Sequence, residues 1–302
     1  MKMFFKGFFY ACCLTLLIQH VNATTKAGFF LPDSVPEFTL QYKSLDNLIV
    51  LPVVINDSVT VNLILDTGCR NVLLFGRRFK KLMTLEPNRV VKFSGMGQGK
   101  SVEGSLSLEN KVSIGAVSGS LVPVVVVPSR PLFYSHLQID GLIGYDIFTR
   151  FEVEVNPAKH LITFRSAFNN YIPESYTKIP MTVNDSRPML SSKIVLGNET
   201  IESDLLIDTG SMLGLLLKST DKSRYGLKLG DQLIGKGLNG MIKGVKVVSR
   251  KLSLGNDFEI TDLDTGIIHS PWHNYASVGM DVLKDYSIIL NYVQSYVCLK
   301  KA

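Results

Sequence analysis

Val61-Asn62-Leu63-Ile64-Leu65-Asp66-Thr67-Gly68-Cys69 and Ser203-Asp204-Leu205-Leu206-Ile207-Asp208-Thr209-Gly210-Ser211 decide how this 302-residue chain is read. Each runs through three apolar residues into Asp-Thr-Gly, and the two copies lie 142 residues apart. A short run rich in Leu and Ile reads as a buried strand. Glycine just past its end permits a tight turn and close backbone approach. One such triplet carries little information. Two, each closing a hydrophobic strand, imply a duplicated segment and a site where two like carboxylates face each other.

The repetition extends outward from the triplets. Val53 to Phe75 overlies Val195 to Leu217 without a gap, and Asn56-Asp57-Ser58 falls on Asn198-Glu199-Thr200 as a polar turn between apolar runs. A second landmark repeats at a slightly shorter offset. Leu142-Ile143-Gly144-Tyr145-Asp146 falls on Ser277-Val278-Gly279-Met280-Asp281, and Phe151 to Asn156 falls on Tyr286 to Asn291. A closing strand ends each copy. The pieces between turns are short and rich in Val, Ile, Leu and Phe, which predicts an all-β fold. Short helices are expected after each Gly-(Tyr/Met)-Asp, with Ile147, Phe148, Val282 and Leu283 turned inward. The polar stretch from Ser166 to Thr177 joins the copies. Two β lobes follow, 40–170 and 171–302, preceded by an extension over 24–39.

Apolar content of 46% and charged content of 19% are globular values. The N-terminus reads as a secretory signal over residues 1–23. Lys2 and Lys6 form a basic region, Gly7 to Ile18 an apolar core, and Val21-Asn22-Ala23 a small-residue cleavage site. That core falls short of the ~18 apolar residues a bilayer span needs, so cleavage and export are expected rather than a stable membrane anchor. Of the net charge of +6, Lys2 and Lys6 belong to the leader. The remainder is too mild for a nucleic-acid partner, and Arg77, Arg78, Lys80 and Lys81 read as the solvated face of a short helix. Beyond Cys12 and Cys13 of the leader only Cys69 and Cys298 remain, read as two separate buried thiols rather than a disulfide.

The paired Asp-Thr-Gly motifs, with Asp140-Gly141-Leu142-Ile143-Gly144 following the first, resemble the aspartic peptidase superfamily that includes pepsin and the retroviral proteases. Each half resembles a single retroviral-type or bacterial aspartyl protease domain, and together they cover about residues 40 to 300. The resemblance implies two acid-protease β-barrel lobes related by a pseudo-twofold axis, with the active-site cleft between them. It also implies that Asp66 and Asp208 form a catalytic pair that hydrolyses peptide bonds through a bridging water, with no cofactor and no metal. Two unit charges about 4 Å apart at an effective dielectric near 20 repel by roughly 4 kcal/mol, which separates their ionisations by about three pKa units. Splitting of this kind is the known behaviour of aspartic protease pairs, which share one proton.

Further roles follow from the same resemblance. Thr67 and Thr209 cross-brace the two loops, Gly68 and Gly210 turn backbone N–H groups toward the carboxylates, and Ser211 adds a hydroxyl there. Cys69 departs from the Ser or Ala usual at its position, and as a weaker donor it leaves the Asp66 side less acidified. Leu142, Ile143 and Gly144, with Val278 and Gly279, form the supporting loops; Ser277 breaks the apolar pattern and puts the second loop in question. The glycine-rich stretches around Gly95-Met96-Gly97 and Leu238-Asn239-Gly240 read either as flaps over a bound peptide or as ordinary hairpin turns. The expected partner is a protein or peptide substrate, and the expected state a monomer holding both lobes in one chain. A fold retained for peptide binding without hydrolysis, and lobes paired between chains, are the alternative readings.

Other motifs carry less. Gly95 to Ser101 lacks the leading glycine of a phosphate-binding loop, because Ser94 stands there. His269 and His273 have metal-like spacing, but no Cys or His cluster completes a site.

Overall fold

The computed structural model describes residues 26–86, 89–93, 95–97, 99–129, 138–169, 171–220, 232–256, 258–270 and 275–302. The leader of residues 1–23, His273 and the Ser94 and Gln98 positions beside the first glycine-rich tip lie outside the described residues. Among the described residues, no helix is long and apolar enough to cross a membrane.

The chain is all-β, and its two halves are built alike. A nine-stranded sheet forms the first lobe and an eight-stranded sheet the second. The strands that carry the aspartates, Val59–Leu65 and Glu199–Ile207, are central in their sheets. Leu63, Ile64, Leu65, Leu205 and Ile207 are fully buried, and Leu206 nearly so. Unbroken apolar runs are what a strand covered on both faces requires. Each such side chain contributes about 1.5–3 kcal/mol by leaving water.

The hairpins entering these strands show where the copies diverge. In the first lobe, Ile55 pairs with Val59 across a three-residue turn, with Asn56 and Asp57 at φ 50° and 51°. In the second, Leu196 pairs with Glu199 across Gly197-Asn198, and Gly197 supplies a φ of 60°. Asn and Gly tolerate these left-handed conformations best.

A third sheet ties the lobes together. Its six strands run in the order Thr177–Pro180, Tyr296–Lys301, Tyr286–Asn291, Phe151–Asn156, Leu161–Ser166 and Glu37–Gln41. Three come from each half. At its centre Phe151–Asn156 and Tyr286–Asn291, matched repeats in the sequence, pair antiparallel with Glu154 opposite Ile289. Two equivalent strands pairing antiparallel generate a local twofold relation between their lobes. The segment before residue 40 is woven into both sheets: Gly28–Phe30 pairs with Val117–Val127, and Glu37–Gln41 with Leu161–Ser166.

Beneath the joining sheet the fully buried Glu152 accepts hydrogen bonds from the Tyr296 hydroxyl, from Asn291 Nδ2 at 3.3 Å and from Asn169 Nδ2 at 3.1 Å. A buried carboxylate needs such partners to offset lost hydration. The short helices fall at Tyr145–Phe148 and Met280–Leu283, and Ile147, Phe148, Val282 and Leu283 are all buried. The Arg77–Leu82 segment is a 3-10 helix that buries Phe79 and leaves Arg77, Arg78 and Lys81 exposed. Cys69 and Cys298 are separate buried thiols.

Candidate active site

Leu65 and Ile207 deliver Asp66 and Asp208 to the floor of one cavity of about 510 Å³ between the lobes. The turns that carry them are locked by reciprocal hydrogen bonds. The Thr67 hydroxyl donates to the Ile207 carbonyl at 2.5 Å, and the Thr209 hydroxyl to the Leu65 carbonyl at 2.7 Å. Each hydroxyl also accepts the other threonine's backbone N–H, both at 3.1 Å. Both threonines are wholly buried. Two groups that would otherwise be stranded in each turn are thus satisfied across the lobe junction. The aspartates are held by the same device.

Close approach requires the glycines that follow. A side-chain carbon on Gly210 would stand 2.3 Å from the Asp66 carboxyl carbon, and one on Gly68 3.1 Å from Asp66 Oδ1 and 3.6 Å from Asp208 Oδ1. Each loop therefore packs against the acid of the other copy. The Gly68 N–H donates to Asp66 Oδ1 at 2.7 Å, and the Gly210 N–H to Asp208 Oδ1 at 3.2 Å.

Behind the turns, Leu142-Ile143-Gly144 and Ser277-Val278-Gly279 support the two aspartates in the same way. The Ile143 carbonyl accepts the Asp66 N–H at 2.8 Å, and the Val278 carbonyl the Asp208 N–H at 2.9 Å. Gly144 lies so close that a side-chain carbon would sit 2.0 Å from the Asp66 carbonyl; at Gly279 it would meet the Leu213 carbonyl at 2.4 Å. The second loop is as well formed as the first. Ser277 is buried and takes its place in the strand Ala276–Val278, paired with both Leu206 and Leu216.

Two expected contacts are corrected by the structure. Ser211 does not extend its hydroxyl to Asp208; its Oγ accepts the Leu213 N–H at 3.2 Å and so closes the turn. The Cys69 thiol turns away from Asp66 and donates to the Asn71 carbonyl at 3.0 Å. Burial, reinforced by Asp66, pushes that thiol well above its ordinary pKa, so it stays neutral.

Burial, then repulsion from Asp208, raises Asp66 to about 7, against the pull of the Gly68 N–H. Burial raises Asp208 too, while Lys218, the Gly210 N–H and Arg187 pull it back. Arg187 pulls on both acids, and Lys218 acts on Asp208 alone.

The glycine-rich stretches are the tips of two hairpins, Val90–Phe93 with Val102–Ile114 and Gln232–Gly237 with Gly240–Leu254. The tips meet. The Asn239 carbonyl accepts the Gly99 N–H at 2.6 Å, the Asn239 N–H donates to the Met96 carbonyl at 3.0 Å, and Asn239 Oδ1 accepts the Gly95 N–H at 3.2 Å. A side-chain carbon on Gly97 would stand 2.6 Å from the Asn239 backbone, and one on Gly95 2.5 Å from Leu238 Cβ. Gly240, at φ 101°, turns the second tip. Gly95, Met96 and Leu238 also line the cavity that holds the aspartates.

Comparison with known proteins agrees with this fold. Residues 51–147 match the family model described as aspartyl protease. Among solved structures, an aspartic proteinase from Irpex lacteus superposes with a TM-score of 0.57 at 14% identity, covering 88% of this chain and 97% of that one. The fold is that of the pepsin/retropepsin-like aspartic peptidases. No curated protein matches the sequence significantly.

Within this aspartic peptidase fold, one feature of the cleft went unread in the sequence. Arg70, Lys92, Arg187, Lys218 and Lys236 all line the cavity, against Asp185 and the two aspartates. Lys218 sits at the end of the apolar run Leu215-Leu216-Leu217, where it reads as a strand leaving the core. A lone cation ten residues past Asp208 was the available signal. Among the described residues no group of His, Cys, Asp and Glu is arranged to hold a metal ion, and His269 Nδ1 lies 3.2 Å from the Ser219 carbonyl.

Proposed function

We propose that this chain is an exported, single-chain aspartic endopeptidase that cleaves extended polypeptides at Asp66 and Asp208. The family match and the fold support a peptidase. The observation that carries the finer reading is the reciprocal threonine brace, which brings two half-buried carboxyl groups to one cleft floor.

The chemistry follows from one proton shared between two acids. The ionised aspartate takes a proton from a water molecule as its oxygen attacks the scissile carbonyl carbon. The protonated aspartate donates to the carbonyl oxygen, giving a neutral gem-diol. A proton then passes to the amide nitrogen, the C–N bond breaks, and an acid and an amine leave. Burial raises both acids, and Lys218 and Arg187 pull Asp208 back toward its ionised form, so one of the pair enters protonated as the donor and the other ionised as the base. The joined tips at Met96 and Asn239 must part to admit a substrate and can close over it, excluding water. At about 3.3 Å per residue, an extended peptide of six to eight residues spans such a cleft. Both halves lie in one chain, so a monomer suffices. Export rests on Lys2, Lys6, the apolar core and Val21-Asn22-Ala23.

Digestion of a peptide library by the mature protein between about pH 3 and 7, with and without a statine-type transition-state mimic, tests the reading. Cleavage that the mimic abolishes is expected. A protein that cleaves nothing across that range would overturn it.

A further inference from the structure

Lys218 is 3% exposed, on the strand Leu215–Ser219, and its side chain lines the same cleft as Asp66 and Asp208. Its ammonium stacks on the Tyr275 ring, 4.2 Å from the ring centre. No carboxylate of the described residues lies within 4.0 Å of it, Asp208 included. A buried ammonium without a close counter-ion among the described residues is costly to maintain. Burial accordingly lowers its pKa to about 8, with attraction from Asp208 opposing and Arg187 adding to the shift, and it still carries its charge at neutral and acidic pH.

The neighbouring charges do not balance it. Asp185 is shared between two guanidiniums, Arg187 at 2.9 Å and Arg70 at 3.1 Å, and Arg70 also donates to Ser186 Oγ at 3.0 Å. One carboxylate thus serves two arginines. The aspartate pair, holding one proton, contributes a single negative charge spread over two groups. Among the described residues, positive charge is in excess on the Asp208 side of the cleft, held by a side chain too buried to serve solubility.

We propose that Lys218, with Arg187 beside it, forms a subsite that binds a carboxylate of the peptide substrate next to the scissile bond. The proposal rests on the peptidase reading and sharpens it to a substrate class. The carboxylate comes either from an Asp or Glu side chain or from a free C-terminus; the chemistry recognised is the same. An incoming carboxylate gains a charge-assisted hydrogen bond in a water-poor site and relieves the buried cation at once.

The test uses the full mature protein and a matched set of peptides. Glu or Gln is placed in turn at each of three positions on either side of the cleaved bond, each peptide with a free or amidated C-terminus. Turnover is read as kcat/KM, and binding by fluorescence anisotropy. Wild type should favour a carboxylate over its amide by tenfold or more at one position, and the position identifies side chain or C-terminus as the source. In Lys218→Met and Lys218→Gln that ratio should fall to near one, and Lys218→Arg should keep most of it. A lysine acting only as a counter-charge to Asp208 would shift the acid limb of the pH profile equally for all peptides and leave the ratio unchanged; that result overturns the proposal. So does a wild-type ratio of one, which needs no variant. If wild type cleaves none of the peptides, the peptidase reading fails, and the anisotropy ratio still decides the subsite.

Discussion

Replacing Thr209 by valine probes the lobe junction with almost no change in volume. The Thr209 hydroxyl accepts the Thr67 N–H at 3.1 Å and donates to the Leu65 carbonyl at 2.7 Å, and the residue is wholly buried. Valine would leave both backbone groups in place and unpaired, with no water to replace the lost partner. Each such group costs about 1–3 kcal/mol, so Thr209→Val should lose roughly 2–6 kcal/mol of a total that is typically about 5–15 kcal/mol. Thr209→Ser keeps the hydroxyl, gives up one buried methyl and should lose only about 1 kcal/mol. Urea unfolding of wild type and the two variants reads these differences directly. Turnover should fall at least tenfold in Thr209→Val, because the loops that aim the two aspartates are no longer pinned. Thr67→Val should behave alike, since its bonds to Ile207 and Thr209 mirror these. A valine variant within about 0.5 kcal/mol of wild type, or a serine variant as weak as the valine one, would refute the reasoning.

Two further outcomes follow from the site. Because Asp66 is raised to about 7, turnover should decline as pH rises through that value and the shared proton leaves. The stability sign is the same: a carboxyl whose folded pKa lies above its unfolded 3.8 stabilises fully at pH below that value and loses the contribution as pH rises through about 7, so Asp66→Asn should flatten a plot of unfolding free energy against pH there. At the joined tips, Asn239→Ala removes the 3.2 Å bond to the Gly95 N–H and spares the two backbone bonds. One hydrogen bond of about 1 kcal/mol corresponds to roughly fivefold faster hydrogen exchange at the Gly95 amide, and an unchanged rate would show the tips are not held this way.

The sequence carried what repetition can carry. Asp66 and Asp208, the glycines at 144 and 279, and the central strands of the joining sheet all stand at matched places in the two copies, so one copy corroborates the other. The strand pairing of Phe151–Asn156 with Tyr286–Asn291 turns that repeat into a local twofold axis. Features that break the symmetry stayed hidden. Lys218 and Arg187 have no counterparts to flag them, and their approach to the aspartates depends on how two sheets fold over one cleft. Ser211 looked like a partner for Asp208 because of its position, but the orientation of a hydroxyl is set by the nearest unpaired donor, here the Leu213 N–H. The contact between Met96 and Asn239 joins residues from different lobes across a long sequence separation, which no local pattern encodes.

Peptide turnover by Asp66→Asn and Asp208→Asn proteins, each shown to be folded, tests the shared-proton pair most directly. Either substitution removes one carboxyl and the proton it trades, so both variants should lose at least a thousandfold in kcat with binding largely retained. Equal turnover in wild type and both variants would mean that bond cleavage takes place elsewhere, and that these two acids do not carry it.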